Sequence, residues 1–352
     1  MPWTLRRKVL TVCGAAGVAW MGWTARSSGD RRAALPQLAA AEFNALQDTR
    51  AAMESLKARQ SKSAIDDDCH HGNNNDARVT LIKLLGCPYC ARIETLLSFL
   101  WIPHSVMVLD PLRTNSFPDP RYRLVPQLVV ASPHGGSPVI IVDSAEITNV
   151  LARSFGFEEM VDAPVGSRIQ STRRWIHERF QTVTFAAINA SWWDSFRAFP
   201  TLVPSCYHYF PIQVVGASVL FAIARFKIIP RLQNAQEPQA DPRRWLLDEA
   251  RTFMNAVRIE SSSLTVSQPA AFHGGHMPDL ADIDFFAVLN NVVRMDHFSS
   301  LLHHGKRGFT QVDREREDVA AFLSSWYDAM VESRKGRRPW KPSVEVPPSR
   351  CN

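Results

Sequence analysis

Apolar and polar positions follow two different rhythms along this chain, and the change falls near residue 171. Ahead of it, apolar residues come in short runs closed by Gly, Pro, Asp or Ser: Val79 to Leu85, Ser105 to Leu109, Leu124 to Val130 and Val139 to Val142. Short runs between turn formers predict β-strands. Between the first two, Ala91, Ile93, Leu96, Leu97 and Leu100 recur at helical spacing, so the opening unit is strand, helix, parallel strand. A turn at His134-Gly135-Gly136-Ser137 joins the last two runs, and Asp143-Ser144-Ala145-Glu146-Ile147 opens another helix with a capping side chain at its head. Beyond residue 171 the helical period persists, through Trp175, Ile176, Arg179, Val183 and Ala186, then Trp245 to Val257, Phe285 to Val293 and Asp313 to Met330. The pattern predicts an α/β domain followed by an all-α domain.

Several stretches lie outside that plan. Val9 to Ala25 is an uncharged run of 17 residues, at the short limit of the roughly 17–25 that cross a bilayer. Arg6, Arg7 and Lys8 precede it and Trp20 and Trp23 sit near its end. A membrane anchor, a mitochondrial presequence and a cleaved secretory signal all fit that composition. Ala33 to Lys62 is rich in alanine and predicts a helix with a narrow apolar seam at Leu46, Met53 and Leu56, either a stalk or a plain spacer. Ser61 to Arg78 reads as a disordered linker. Pro211 to Ala224 is an uncharged, largely apolar run, but its 14 residues read as a buried core helix rather than a span. The predicted organisation is an anchor or targeting segment at 1–30, a stalk and linker at 31–77, an α/β domain at 78–156, a linker at 157–170, a helical domain at 171–334 and a basic tail at 335–352.

Charge narrows the class of partner. The net charge is +6, but residues 1–32 hold six basic residues against one acidic, and residues 331–352 hold six against two. The body between is slightly acidic, so no broad nucleic-acid footprint exists. Six scattered cysteines in 352 residues are no disulfide framework.

Two of those cysteines carry the candidate chemistry. Cys87-Pro88-Tyr89-Cys90 follows the first strand and Gly86, and opens the first helix. Pro88 sits where a first helical turn tolerates proline, because its missing N–H would have no partner there. Cys87 then meets the unpaired N–H groups and dipole of a helix N-terminus, which favour a thiolate. Cys90, one turn in, has the place of a resolving thiol. The other reading of such a pair is half a zinc site, but no second Cys or His pair completes four ligands, so the metal assignment is none. Cys69-His70-His71 lies in the polar linker, and His273, His276, His303 and His304 read as surface or loop histidines. Asp279 and Asp282 read as a reciprocal helix cap rather than as catalytic acids.

The chain resembles the glutathione transferase superfamily with a glutaredoxin-type dithiol. Within it, the chain is similar to the membrane-associated prostaglandin E synthase type 2 family. The residues that carry this are Cys87-Pro88-Tyr89-Cys90, Asp110-Pro111-Leu112-Arg113, Tyr122-Arg123-Leu124-Val125-Pro126, Asp143-Ser144 and Gly274-Gly275-His276-Met277-Pro278-Asp279-Leu280-Ala281-Asp282. The resemblance runs from Val79 to the early 330s. It departs at Leu84-Leu85-Gly86, where the family usually has a tyrosine and polar residues, and at Tyr89, where phenylalanine is commoner.

The resemblance implies a thioredoxin-like domain with a cis Pro126 facing the cysteine, then a glutathione-transferase-like helical domain. It implies glutathione as cofactor, held by Val125, Pro126, Asp143, Ser144 and Tyr89, with Cys87 and Cys90 catalytic. It admits a homodimer, and heme as a ligand that the sequence alone does not support. The activity it implies is conversion of a prostaglandin endoperoxide to prostaglandin E2, with a fatty-acid-derived substrate held near the aromatic-rich first helices. A glutaredoxin-like thiol–disulfide oxidoreductase or glutathione transferase, and a membrane-tethered scaffold without catalysis, are the competing functions. The expected location is a membrane reached through the N-terminal segment, with the thiols in a reducing compartment that faces the cytosol or lies in mitochondria.

Overall fold

The computed structural model describes residues 37–63, 79–110, 117–131, 137–233, 242–263, 272–293 and 311–335. The N-terminal run, the polar linker with Cys69-His70-His71, the hairpin turn at 134–136, His303 and His304 lie outside them.

Two short helices come first, α1 (Ala40–Ala45) and α2 (Thr49–Ser63). Next are β1 (Val79–Lys83), α3 (Pro88–Phe99), β2 (His104–Val108), β3 (Gln127–Val130), β4 (Val139–Val142) and α4 (Ser144–Ser154). The sheet order is β2-β1-β3-β4. β1 and β2 run parallel, as a strand–helix–strand crossover demands, and β3 and β4 are antiparallel to their neighbours. This is the α/β domain the apolar runs predict, with the thioredoxin-like topology that the resemblance implies.

The helices α1 and α2 are part of that domain, which corrects the reading of this stretch as a stalk or spacer. Phe43, Ala52 and Leu56 are buried, and Ala52 and Leu56 join the core of Leu81, Ile93, Leu128 and Ile147. Leu46 is 62 % exposed and so is not in the seam expected of it. Asn44 explains the docking. Its amide donates to the Val142 carbonyl at 2.8 Å and accepts from the Val142 N–H at 3.0 Å. Gln47 accepts from the Ile140 N–H at 3.2 Å. Two side-chain amides thus occupy the free edge of β4, which would otherwise be a template for another strand.

A short helix, α5 (Glu158–Val161), precedes the helical domain. α6 (Arg168–Trp175) continues through a π-helical turn, Ile176–Phe180, into α7 (Gln181–Ile188). α8 (Trp192–Leu202) contains Pro200 inside its last turn, and a single 3-10 turn, Ser205–Tyr207, separates it from α9 (Phe210–Ile223). Pro200 and Pro211 therefore lie in helices, and only a short connection containing Pro204 separates α8 from α9. A second π-helical turn, Ala224–Ile228, leads into α10 (Ile229–Gln233). The remaining helices are α11 (Pro242–Ser263), α12 (Leu280–Val293) and α13 (Gln311–Lys335).

The helical core is an aromatic stack. Phe253 lies 3.9 Å from Phe285 between ring centroids, Phe180 lies 4.4 Å from Phe285, and Trp326 meets Phe285 edge-on at 5.3 Å. α12 serves both domains, because Leu280 and Ile283 pack into the thioredoxin-like core while Phe285, Phe286 and Leu289 pack into the helical one. The architecture is a thioredoxin-like domain followed by a helical domain.

α9 corrects a second expectation. Read as core from its apolar run, it has only Ala217 buried. The physical reason is that α8 covers one side of it and, among the described residues, nothing covers the other.

Candidate functional site

The sheet register gathers the predicted residues at one edge. Ile82 in β1 pairs with Gln127 in β3, and Gln127 pairs with Val142 in β4. The chain leaves β1 at this edge toward Gly86 and Cys87, enters β3 from Val125 and Pro126, and leaves β4 into Asp143 and Ser144. The Val125–Pro126 peptide is cis. Gln127 holds this entry loop by donating to the Tyr122 and Leu124 carbonyls at 3.1 and 3.0 Å.

Gly86 makes the turn into the dithiol with φ +68°, a left-handed value that a side chain rarely adopts. A Cβ there would also collide with the Leu202 side chain, so the end of α8 sits directly against the dithiol loop. Cys87 caps α3 in an extended conformation, its carbonyl accepting from the Ala91 N–H at 3.0 Å. Cys87 is partly exposed and Cys90 fully buried.

The two thiols are driven apart in acidity. A hydrogen bond donated by Cys90 and the N–H groups of Cys90 and Tyr89, against the penalty of burial, bring Cys87 down to about 7, with the Arg92 charge assisting. The same contact, together with burial, pushes Cys90 up. One acidic, accessible sulfur backed by a protonated, hidden one is an arrangement for nucleophilic attack by Cys87.

Asp143 stands at φ +74°, an uncommon value for a residue other than glycine. Its Oδ1 accepts from the Ala145 N–H at 2.8 Å, which caps α4. Ser144 is buried at the first turn, and Tyr89 is 41 % exposed beside the cysteines. Burial, and after it the Asp143 charge, raise the pKa of the Tyr122 hydroxyl.

A buried ionic cluster beneath α3 escaped the sequence reading. Arg92, two residues past Cys90, is 2 % exposed and lies over the Tyr89 ring with its guanidinium carbon 5.6 Å from the ring centroid. Its Nε is 2.8 Å from Asp284 Oδ1 on α12, close enough for an ion pair though too poorly aligned for a hydrogen bond. Arg173 and His177 meet Asp284 Oδ2 at 2.8 and 3.1 Å. Burial opposes ionisation of Asp284, but Arg92 and Arg173 overcome it and hold the carboxyl below its usual range. An acid directly before Phe285 and Phe286 in α12 and the one base of α3 were the available signals.

The Asp279–Asp282 cap forms as expected. Asp279 Oδ1 accepts from the Ala281 and Asp282 N–H groups at 2.8 and 3.0 Å, and Asp282 Oδ2 accepts from the Asp279 N–H at 3.0 Å. His273 corrects the surface-histidine reading. It is 1 % exposed, its Nδ1 lies 2.7 Å from Asp279 and its Nε2 3.1 Å from the Thr172 hydroxyl. Tyr207 donates to Asp110 at 2.6 Å, tying the 3-10 turn to the end of β2. The aromatics of the first helices of this domain divide: Trp175 and Phe180 belong to the core stack, while Trp192, Trp193, Phe196 and Phe210 form a separate cluster on α8 and α9. Among the described residues no group of three or more His, Cys, Asp or Glu could hold a metal ion.

No family model matches the sequence. The chain is similar to Prostaglandin E synthase 2 of Mus musculus, with 22% identity over 272 residues, 66% of this chain and 68% of that protein. Among solved structures it is similar to a glutathione S-transferase of Ceriporiopsis subvermispora in complex with glutathione, with TM-score 0.41, 12% identity, and coverage of 74% of this chain and 98% of that one. It is also similar to glutaredoxin 2 of Salmonella typhimurium in complex with glutathione, with TM-score 0.37, 12% identity, and coverage of 73% and 94%.

Proposed function

We propose that this protein is a glutathione-dependent thiol enzyme with Cys87 as nucleophile, and that it isomerises a prostaglandin endoperoxide to prostaglandin E2. The observation that carries the thiol chemistry is Cys87 lowered to about 7 by the hydrogen bond from a buried Cys90. The substrate follows the resemblance to Mus musculus Prostaglandin E synthase 2.

In this reading glutathione lies along the edge formed by Val125, Pro126, Asp143 and Ser144, beside Tyr89. The Val125 backbone pairs with the cysteinyl unit. The Asp143 carboxylate takes the γ-glutamyl ammonium, and the N-terminus of α4, with Ser144, takes its carboxylate. A backbone strain such as that of Asp143 is retained where function demands it. The Cys87 thiolate attacks one peroxide oxygen, so an S–O bond forms as the O–O bond breaks. The departing oxygen takes a proton and becomes the hydroxyl. A base removes the hydrogen on the carbon bearing the other oxygen, the C–H pair becomes the C=O bond, and the S–O bond breaks to return the thiolate. The reaction is an isomerisation with no net oxidant.

The contact between the two cysteines favours a second reading. Cys87 attacks a glutathione mixed disulfide and Cys90 or glutathione resolves it. The full chain and its Cys87→Ser variant, supplied with glutathione, should be assayed for prostaglandin E2 from the endoperoxide and for reduction of a mixed disulfide. Prostaglandin E2 above the spontaneous level, lost in Cys87→Ser, is the expected result. Disulfide reduction alone moves the assignment to the second reading, and neither activity overturns both. Asp143→Ala should weaken glutathione by roughly ten- to a hundredfold in calorimetric titration, the loss of one charge-assisted contact.

A further inference from the structure

The outer face of the α8–α9 pair carries none of the residues assigned to the thiol site. Twelve large apolar residues of the described chain are exposed, and seven of them lie between Trp193 and Phe226: Trp193, Tyr209, Phe210, Ile212, Val219, Ile223 and Phe226. On a helix with 3.6 residues per turn, Ile212, Val219, Ile223 and Phe226 fall on one stripe. The continuous helix Phe210–Leu232 is 23 residues long and apolar enough to cross a membrane, with 17% of its most apolar window buried.

Its inner face is committed to α8. Gln213 donates to the Phe196 carbonyl at 2.9 Å, Trp192 donates to the Ser218 hydroxyl at 3.0 Å, and Gly216 lies against the Phe199 ring. Crossing a bilayer would drag α8 with it, including Asp194 and its ion-pair partner Arg243, into hydrocarbon. Lying in the interfacial plane carries no such cost.

Charge selects the occupant. No Asp or Glu stands between Asp194 and Glu237, whereas Arg197, Arg225, Lys227 and Arg231 do, and all four are exposed. A second copy docked face to face on this stripe would bring those cations against their own kind. An anionic bilayer surface answers both the apolar stripe and the cations, and Trp193 and Tyr209 suit its interface.

We infer that the α8–α9 face is a monotopic binding surface for anionic lipid bilayers, independent of the N-terminal apolar run. The test uses the full chain with vesicles of phosphatidylcholine and phosphatidylserine that carry a photoreactive acyl-chain lipid, followed by peptide mapping of the label. Label should appear on peptides spanning residues 210–232 as well as on the N-terminal run. In Ile223→Glu/Phe226→Glu it should fall there by about tenfold, as expected when two large apolar side chains are withdrawn from lipid. Unchanged circular dichroism and Cys87 alkylation in that variant show that it folds. Label confined to residues 1–30 overturns the inference, as does a lipid-free dimer cross-linked through this face. Equal labelling from pure phosphatidylcholine overturns the part given to the cations.

Discussion

Two apolar helices of equal length, α9 and α12, read alike in the sequence and end in opposite surroundings. Eleven of the fourteen residues of α12 are buried, against one of the fourteen of α9. The buried helix is the one with ionisable residues: Asp282 and Asp284 lie on α12, and α9 has none between Phe210 and Ile223. Apolarity alone therefore does not select the core. Asp282 receives the N–H groups of His273, Gly274, Asp279 and Trp326, and Asp284 receives Arg92, Arg173 and His177. Those partners come from both domains and fix where α12 must sit. Among the described residues the interhelical polar contacts of α9 reach only α8, and nothing covers its other face.

Asp284→Ala tests this contrast most severely. Removing one member of a buried ion pair leaves Arg92 uncompensated at a cost of about 3–5 kcal/mol. Urea unfolding at pH 7 should show that loss. A loss below about 1 kcal/mol would mean that α12, like α9, is held by its apolar side chains alone. Since the carboxyl of Asp284 is held below its unfolded value, its contribution is complete above about pH 4. It disappears as acid protonates the folded protein, so the variant should lose most of the difference from wild type only at low pH.

The buried helix reaches the thiol site through Arg92, but that charge is the smallest of the influences on Cys87. The first is the hydrogen bond from Cys90, so Cys90→Ala should matter more than any change in α12. A hydrogen bond to a charged group contributes about 1.5–3 kcal/mol, which is roughly one to two pKa units. Iodoacetamide alkylation of wild type should rise with pH through a midpoint near 7, the thiol being depressed, and in Cys90→Ala the midpoint should move up by that amount. A midpoint that stays near 7 would assign the acidity to the helix N-terminus instead.

Much of this site was legible because it is local. Gly86, Cys87 and Pro88 are consecutive, and the turn, cap and first helical position follow from their individual chemistry. The parallel crossover and the hairpin were legible as well, whereas the antiparallel pairing of β1 with β3 that joins them is a long-range contact. What escaped depends on contacts between segments far apart in sequence. Asn44 gives no local sign that its amide pairs with β4, and Arg92 looks like an ordinary helix-surface base until Asp284 stands against it. His273 read as a loop residue because its partners, Asp279 and Thr172, meet it only in the folded chain. For α9 the failure was of a different kind, since burial depends on what covers a helix and periodicity reports only which face is apolar.

Gly216→Leu probes the covered side of α9. The new side chain would meet the Phe199 ring, and overpacking of this kind costs about 1–3 kcal/mol, more than the roughly 0.8 kcal/mol gained by removing glycine from a helix. The melting temperature should fall. A rise would show that α8 can shift away from α9, making the pair a loose attachment rather than a packed one.

Ile223→Gln probes the uncovered side and should have the smallest effect. Ile223 is 40% exposed, and substitutions at surface positions usually change stability by no more than about 0.5 kcal/mol. Its neighbours on the stripe, Val219 and Phe226, are exposed too, so removing the apolar side chain opens no cavity. The matching change on α12, Phe285→Ala, removes the ring at the centre of the aromatic stack and should cost about 3–5 kcal/mol. Measured side by side in urea without lipid, the two should differ by several kcal/mol. If Ile223→Gln instead costs more than about 1.5 kcal/mol, its side chain is packed in solution, and the outer face of α9 is a covered protein surface rather than an open one.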